Sequence, residues 1–99
     1  MPYAVQFAQS VEVHLRALTA RDRTTVLAAI DRHLLDDPLK EVRNRKPLRP
    51  NPIAPWELRV GHLRVFYEVV GTEGGMVRIL GVGQKRRGVV IIGGKEIRL

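Results

Sequence analysis

Two alternating runs, Trp56 to Val60 and Leu63 to Val70, are joined by only Gly61-His62. Period-two runs rich in β-branched and aromatic residues, linked by a two-residue connection with glycine first, dictate a tight antiparallel hairpin closed by a type II′ turn. Such a turn also fixes the register. Val60 must face Leu63, Arg59 must face Arg64, Leu58 Val65, Glu57 Phe66 and Trp56 Tyr67. Alternation then sorts the side chains: Trp56, Leu58, Val60, Leu63, Val65 and Tyr67 take the face that packs on the rest of the chain, while Glu57, Arg59, Arg64 and Phe66 take the opposite, open face. Two arginines side by side on a sheet repel by about 0.2–1 kcal/mol. The pair therefore calls for an anion, supplied by a bound phosphate or by Glu57 or Glu68.

Upstream of the hairpin, Tyr3, Val5 and Phe7 alternate as a short half-buried strand. Ser10 offers an N-cap hydroxyl to a first helix carrying Glu12 in its first turn and Val11, Leu15 and Leu18 at helical spacing. Thr19, with Asp22 three residues on, caps a second helix whose apolar stripe is Val26, Leu27, Ile30 and Leu34 and which stops before Asp36-Asp37-Pro38. Residues 38 to 55 hold five of the six prolines together with Arg43, Arg45, Lys46 and Arg49, and show no periodicity. They read as a long basic loop, and connections of that length in compact domains are often functional. Downstream of the hairpin, Met76 to Val82 continues the meander after a glycine-rich turn from Gly71 to Gly75, and Val89 to Ile92 adds an edge strand. The expected fold is α+β: an N-terminal strand and a two-helix hairpin packed on a mainly antiparallel sheet of four or five strands. Residues 1 to 99 leave room for one domain.

Charge is distributed unevenly. Residues 1 to 39 carry four Arg against five acids, and residues 40 to 99 carry thirteen Lys and Arg against five acids, so the net charge of +7 resides in the second part. A field of one sign over part of a small protein selects an anionic partner, with nucleic acid ahead of an acidic protein and a membrane surface. Apolar runs are far shorter than the ~20 residues that span a bilayer, and the first residues lack the order of a signal peptide, which points to a cytoplasmic protein without a membrane partner. Cysteine is absent, which excludes disulfides, thiol nucleophiles and zinc knuckles.

A second basic cluster, Lys85-Arg86-Arg87, lies between Gly83 and Gly88, directly after the fourth strand, where it suits a phosphate backbone. His14, His33 and His62 lack the spacing of metal ligands, so neither a metal nor a cofactor is expected. His62, beside the arginine face, is a candidate proton carrier, imidazole being the side chain suited to that role. Glu57 is the other, suited to act as a base or as a salt-bridge partner.

The residues Lys46-Pro47-Leu48, the hairpin Trp56 to Val69 (WELRVGHLRVFYEV) and Gly81-Val82-Gly83-Gln84-Lys85-Arg86-Arg87 together resemble the pattern of RelE/ParE toxins of type II toxin–antitoxin systems. The resemblance runs along essentially the whole chain, including the closing Ile92 to Ile97. It implies a toxin, first a ribosome-dependent mRNA endonuclease that inhibits translation, second a ParE-like inhibitor of DNA gyrase, third a non-catalytic relative that binds nucleic acid or an antitoxin. It also implies partners: a cognate antitoxin in a hetero-oligomer, and ribosome and messenger RNA or, alternatively, gyrase. By motif position Arg64 matches the family's catalytic arginine, Lys85 a second functional cation and Arg87 a further basic position. With Glu57 and His62 these form the candidate catalytic set, and Arg43, Arg45, Lys46, Arg49, Arg59 and Arg86 the candidate RNA-binding set. Pro55 and Glu57 stand where some RelE members place lysines, and Ile91 stands where a tyrosine is expected.

Overall fold

The computed structural model describes residues 3–71 and 74–98. In chain order the elements are β1 (Ala4–Phe7), α1 (Val11–Arg16), α2 (Ala20–Leu34), β2 (Arg45–Pro47), β3 (Trp56–Val60), β4 (Leu63–Val70), β5 (Met76–Arg86), β6 (Val89–Ile92) and β7 (Lys95–Ile97). Strands β2 to β7 form an antiparallel meander in sequence order, and β1 adds to β5 in parallel. The architecture is α+β as expected, with the helices on one face of the sheet, but the sheet has seven strands among the described residues rather than four or five. The additional strands β2 and β7 span three residues each, too few for an alternating pattern to emerge. Val89 to Ile92 is accordingly an inner strand between β5 and β7, not an edge. The glycine-rich turn from Gly71 to Gly75 lies partly outside the described residues.

The helix side carries the main core. Val11, Leu18, Val26, Ile30 and Leu34 pack on Leu58, Leu63, Val65, Tyr67, Val77, Ile79 and Val82, all of them buried. The Thr19 hydroxyl accepts from the Asp22 backbone N–H at 3.1 Å and so caps α2. Ser10 differs from expectation, since it makes no side-chain cap bond and adopts a helical backbone conformation. Leu27 also departs from its expected place in the stripe, being 38% exposed.

Strand β5 is the spine of the sheet. β4 occupies one of its edges from Met76 to Gln84, while β1 and β6 share the other, β1 pairing Met76 to Ile79 and β6 pairing Gly83 to Arg86. In the gap between them the Val82 N–H donates to His14 Nδ1 at 3.3 Å, so a side chain of α1 satisfies a backbone donor that no strand reaches. Bonding at Nδ1 requires the neutral ring with its proton on Nε2. Farther along, a Cβ at Gly83 would lie 2.2 Å from the Ile91 carbonyl oxygen, so only glycine permits β6 to close on β5.

The opposite face was expected to be open, and it is not. Phe66 is fully buried there with Ala54, Val90 and Ile92, and Leu48, Ile53, Leu80 and Ile97 pack around them. Residues following β2 thus touch residues of β6 and β7, which means the sheet curls until its two ends face each other. A register shift in the β4–β5 ladder after Phe66 inserts Leu80 as an extra residue, the bulge that such bending needs.

The basic stretch 38 to 55 is ordered by side chains. The Tyr67 hydroxyl donates to the Pro38 carbonyl at 2.6 Å, and Arg45 Nη1 donates to the carbonyls of His33 and Asp37 at 2.8 and 2.7 Å, closing the C-terminal end of α2. The Asn51 amide bonds the backbone of Arg49, Ile53 and Ala54. Arg45 to Pro47 pair with β3, which corrects the reading of the whole segment as a loop.

Candidate nucleic-acid interface

The hairpin register derived above holds at every position: Trp56 faces Tyr67, Glu57 Phe66, Leu58 Val65, Arg59 Arg64 and Val60 Leu63. Gly61 supplies the positive φ, 59°, that the turn demands. The arginine pair is therefore real, and its compensating anion is Glu57. Glu57 Oε2 accepts from Arg59 Nε at 3.1 Å, and its Oε1 lies 3.8 Å from Arg64 Nε. Glu57 itself is 5% exposed. Glu68 pairs instead with Arg78, at 3.4 Å.

Arg64 is fixed from two directions. Its Nη1 donates to the Gly61 and Leu63 carbonyls at 2.7 and 2.8 Å, while Glu57 approaches Nε, and only 11% of the side chain remains exposed. Burial pushes its pKa below the ordinary arginine value, Glu57 opposes that shift and Arg59 adds to it. A guanidinium remains charged through such a shift, so the hairpin carries a cation held in place by its own backbone.

Beside Arg59 the curl of the sheet opens a groove of about 570 Å³, lined by Lys46, Leu48, Glu57, Arg59, Lys85, Gly88, Val89, Val90, Ile97 and Arg98; Arg64 is not among its lining residues. Lys46 lies directly across from Glu57 in the β2–β3 ladder. Lys85 comes from β5, whose backbone N–H continues the hairpin by donating to the His62 carbonyl at 2.7 Å. Four cations from four separate chain segments, Lys46, Arg59, Lys85 and Arg98, thus border one concave surface over a single buried carboxylate. Bordering cations presented from rigid strands are what a phosphate backbone requires.

Other candidates fall elsewhere. Arg86 and Arg87 border a neighbouring hollow with Val89, Ile91 and Glu96, sharing Val89 with the groove. The structure extends β5 through Arg86, so only Arg87 of the cluster stands in the turn, which corrects the placement of all three residues after the strand. Arg49 lines a smaller hollow with Lys46 and Leu48, and Arg43 is exposed on the connecting segment. Arg45 is committed to the end of α2. His62, expected beside the arginine face, instead turns its Nε2 to Asp22 Oδ2 of α2 at 3.2 Å, because the hairpin tip projects over the start of that helix. Among the described residues no cluster of three or more potential ligands could hold a metal ion.

Arg98 escaped the reading of the sequence. A signal was available: Gly93-Gly94 between two short runs is the same two-residue hairpin signature as Gly61-His62, and it brings the C-terminal residues alongside β6.

The fold and groove together define a class: a small α+β protein with a helix hairpin on one face of a curled meander and a cationic groove on the other. No family model and no curated protein matches the chain. Among solved structures, one chain in the crystal structure of the toxin–antitoxin complex RelBE2 from Mycobacterium tuberculosis is similar, with a TM-score of 0.66 and 28% identity, covering 86% of this chain and 100% of that one. The hairpin motif, the strand-end motif and this likeness agree with one another, and together they support a RelE-family toxin. No helix among the described residues is long and apolar enough to cross a membrane.

Proposed function

We propose that the protein is the toxin of a toxin–antitoxin pair and acts as a ribosome-dependent mRNA endonuclease, with the groove as its RNA site. The observation that carries this reading is the convergence of Lys46, Arg59, Lys85 and Arg98 on one surface, with Arg64 paired across the hairpin from Arg59 and held by the Gly61 and Leu63 carbonyls. Cleavage of RNA by its own 2′-hydroxyl builds negative charge on phosphorus, and preoriented guanidinium and ammonium groups stabilise that charge without reorganising. In this reading Arg59, Lys85 and Arg98 grip the backbone, Arg64 stabilises the developing charge, and Arg86 and Arg87 extend the track beyond the groove. A cognate antitoxin would cover the basic face, as the toxin–antitoxin character of the structural neighbour suggests.

Primer extension on messenger RNA from cells expressing the protein is expected to show new ends within codons, and none with Arg64→Ala. Stalled translation without new ends would refute the nuclease assignment. Two observations favour a second reading, inhibition of DNA gyrase: the His62 ring is engaged by α2, and Pro55, Glu57 and Ile91 replace acid/base residues found elsewhere in the family. Inhibition of supercoiling by purified protein, with messenger RNA intact, would establish it.

A further inference from the structure

We infer that Glu57 is a resident anion that gates the groove and sets its selectivity, rather than a proton carrier. The inference rests on the RNA reading and deepens it. A general base must come within about 3 Å of the proton it takes. Glu57 lines the groove with only 7% of its side chain exposed, one oxygen bonded to Arg59 and the other turned towards Arg64, so both oxygens are engaged by guanidiniums rather than free to take a proton.

The four bordering cations are consequently unequal. Among the described residues, Lys46, Lys85 and Arg98 have no carboxylate within ion-pair distance, whereas Arg59 is paired. Arg59 also has open space in which to change partners, its side chain being 41% exposed against 11% for Arg64. An arriving phosphate meets three free cations at once, whereas at Arg59 it meets a guanidinium whose Nε is bonded and whose charge is offset by Glu57, so it gains the full fourth charge by drawing Arg59 away from Glu57. Any polyanion can satisfy the first condition. Only a chain that places a phosphate at the Arg59 corner, while held at the other three, recovers the cost of the second. Glu57 thereby lowers affinity for stray nucleic acid and favours a backbone of matching shape, which is selectivity obtained by penalising the wrong partner.

The test uses the full chain, a fluorescent single-stranded RNA oligonucleotide and anisotropy over a range of salt concentrations, comparing wild type, Glu57→Gln, Arg59→Ala and the double variant. Freed of its carboxylate, Arg59 becomes available to phosphate, so Glu57→Gln is expected to bind about fivefold more tightly, with a salt slope steeper by about 0.7. The gain should vanish in the Arg59→Ala background. Equal or weaker binding by a folded Glu57→Gln protein, or a gain that persists without Arg59, overturns the gate and leaves the RNA reading standing. Failure of both wild type and Glu57→Gln to bind overturns both. Should Glu57→Gln not fold, the Arg59 Nε–H resonance of the wild type decides: it must shift on RNA addition, and a resonance that stays in place while RNA binds contradicts the exchange of partners.

Discussion

Arg87 holds a φ of 51° in the two-residue turn between β5 and β6, next to Gly88 at 80°. A residue with a Cβ in the left-handed region costs about 1–2 kcal/mol relative to glycine, and nothing in the turn bonds the Arg87 side chain in return. Strain of this kind, at a position the proposed function uses, predicts a trade: Arg87→Gly should raise stability by about 1 kcal/mol in urea melts while weakening RNA binding. At this scale the sequence was most informative where local rules bind tightly. The Arg59–Arg64 pairing followed from Gly61-His62 alone, because a two-residue turn leaves one register. The burial of Glu57 did not follow, since alternation reports which face a residue occupies and is silent on what covers that face. Phe66, grouped with the arginines by the same alternation, was the clue: an aromatic on a supposedly open face implies a second core.

Elements divide the basic residues into structural and functional ones. Arg45 carries the same charge as Arg43 and Arg49, yet its two bonds to the carbonyls at the end of α2 make it part of the helix terminus. Arg45→Ala is expected to cost about 1–2 kcal/mol of stability, read as a lower denaturation midpoint, with the salt slope of RNA binding unchanged. The docking of α1 on β5 carries a pH signature. Burial lowers the His14 pKa, and burial, Arg45 and Arg32 in that order lower that of His33, so the fold favours both neutral rings. The unfolded chain takes up protons near pH 6.5. Stability is therefore complete above that pH and falls as the pH drops below it. Thermal melts should show a lower midpoint at pH 5.5 than at 7.5, and His14→Asn, which offers an amide oxygen near the position of Nδ1, should remove part of the difference. The two helices, the hairpin and the first part of β5 were legible in the sequence through periodicity, and α2 also through its Thr19 cap. The strands β2 and β7 were not, because three-residue strands are made by their neighbours' open edges and not by their own pattern.

Across the whole molecule, the segregation of positive charge into residues 40 to 99 has a simple origin in the topology. The helices contribute the nearly neutral convex side, and the meander contributes the concave one, where its first and last strands meet. Sequence revealed that an anionic partner was to be expected and which hairpin would meet it. It could not reveal the groove, which exists only because the bulge at Leu80 and the close approach at Gly83 bend the sheet until Lys46 and Arg98, some fifty residues apart in the chain, border the same space. That convergence is also what can be tested most directly. In a nitrogen-15 NMR titration of the protein with a short single-stranded RNA, amide shifts should concentrate at Lys46, Glu57, Arg59, Lys85, Gly88 and Arg98 and grow together with one saturation curve. Shifts centred on the exposed face of α2, or a groove that stays unperturbed while RNA binds, would contradict it.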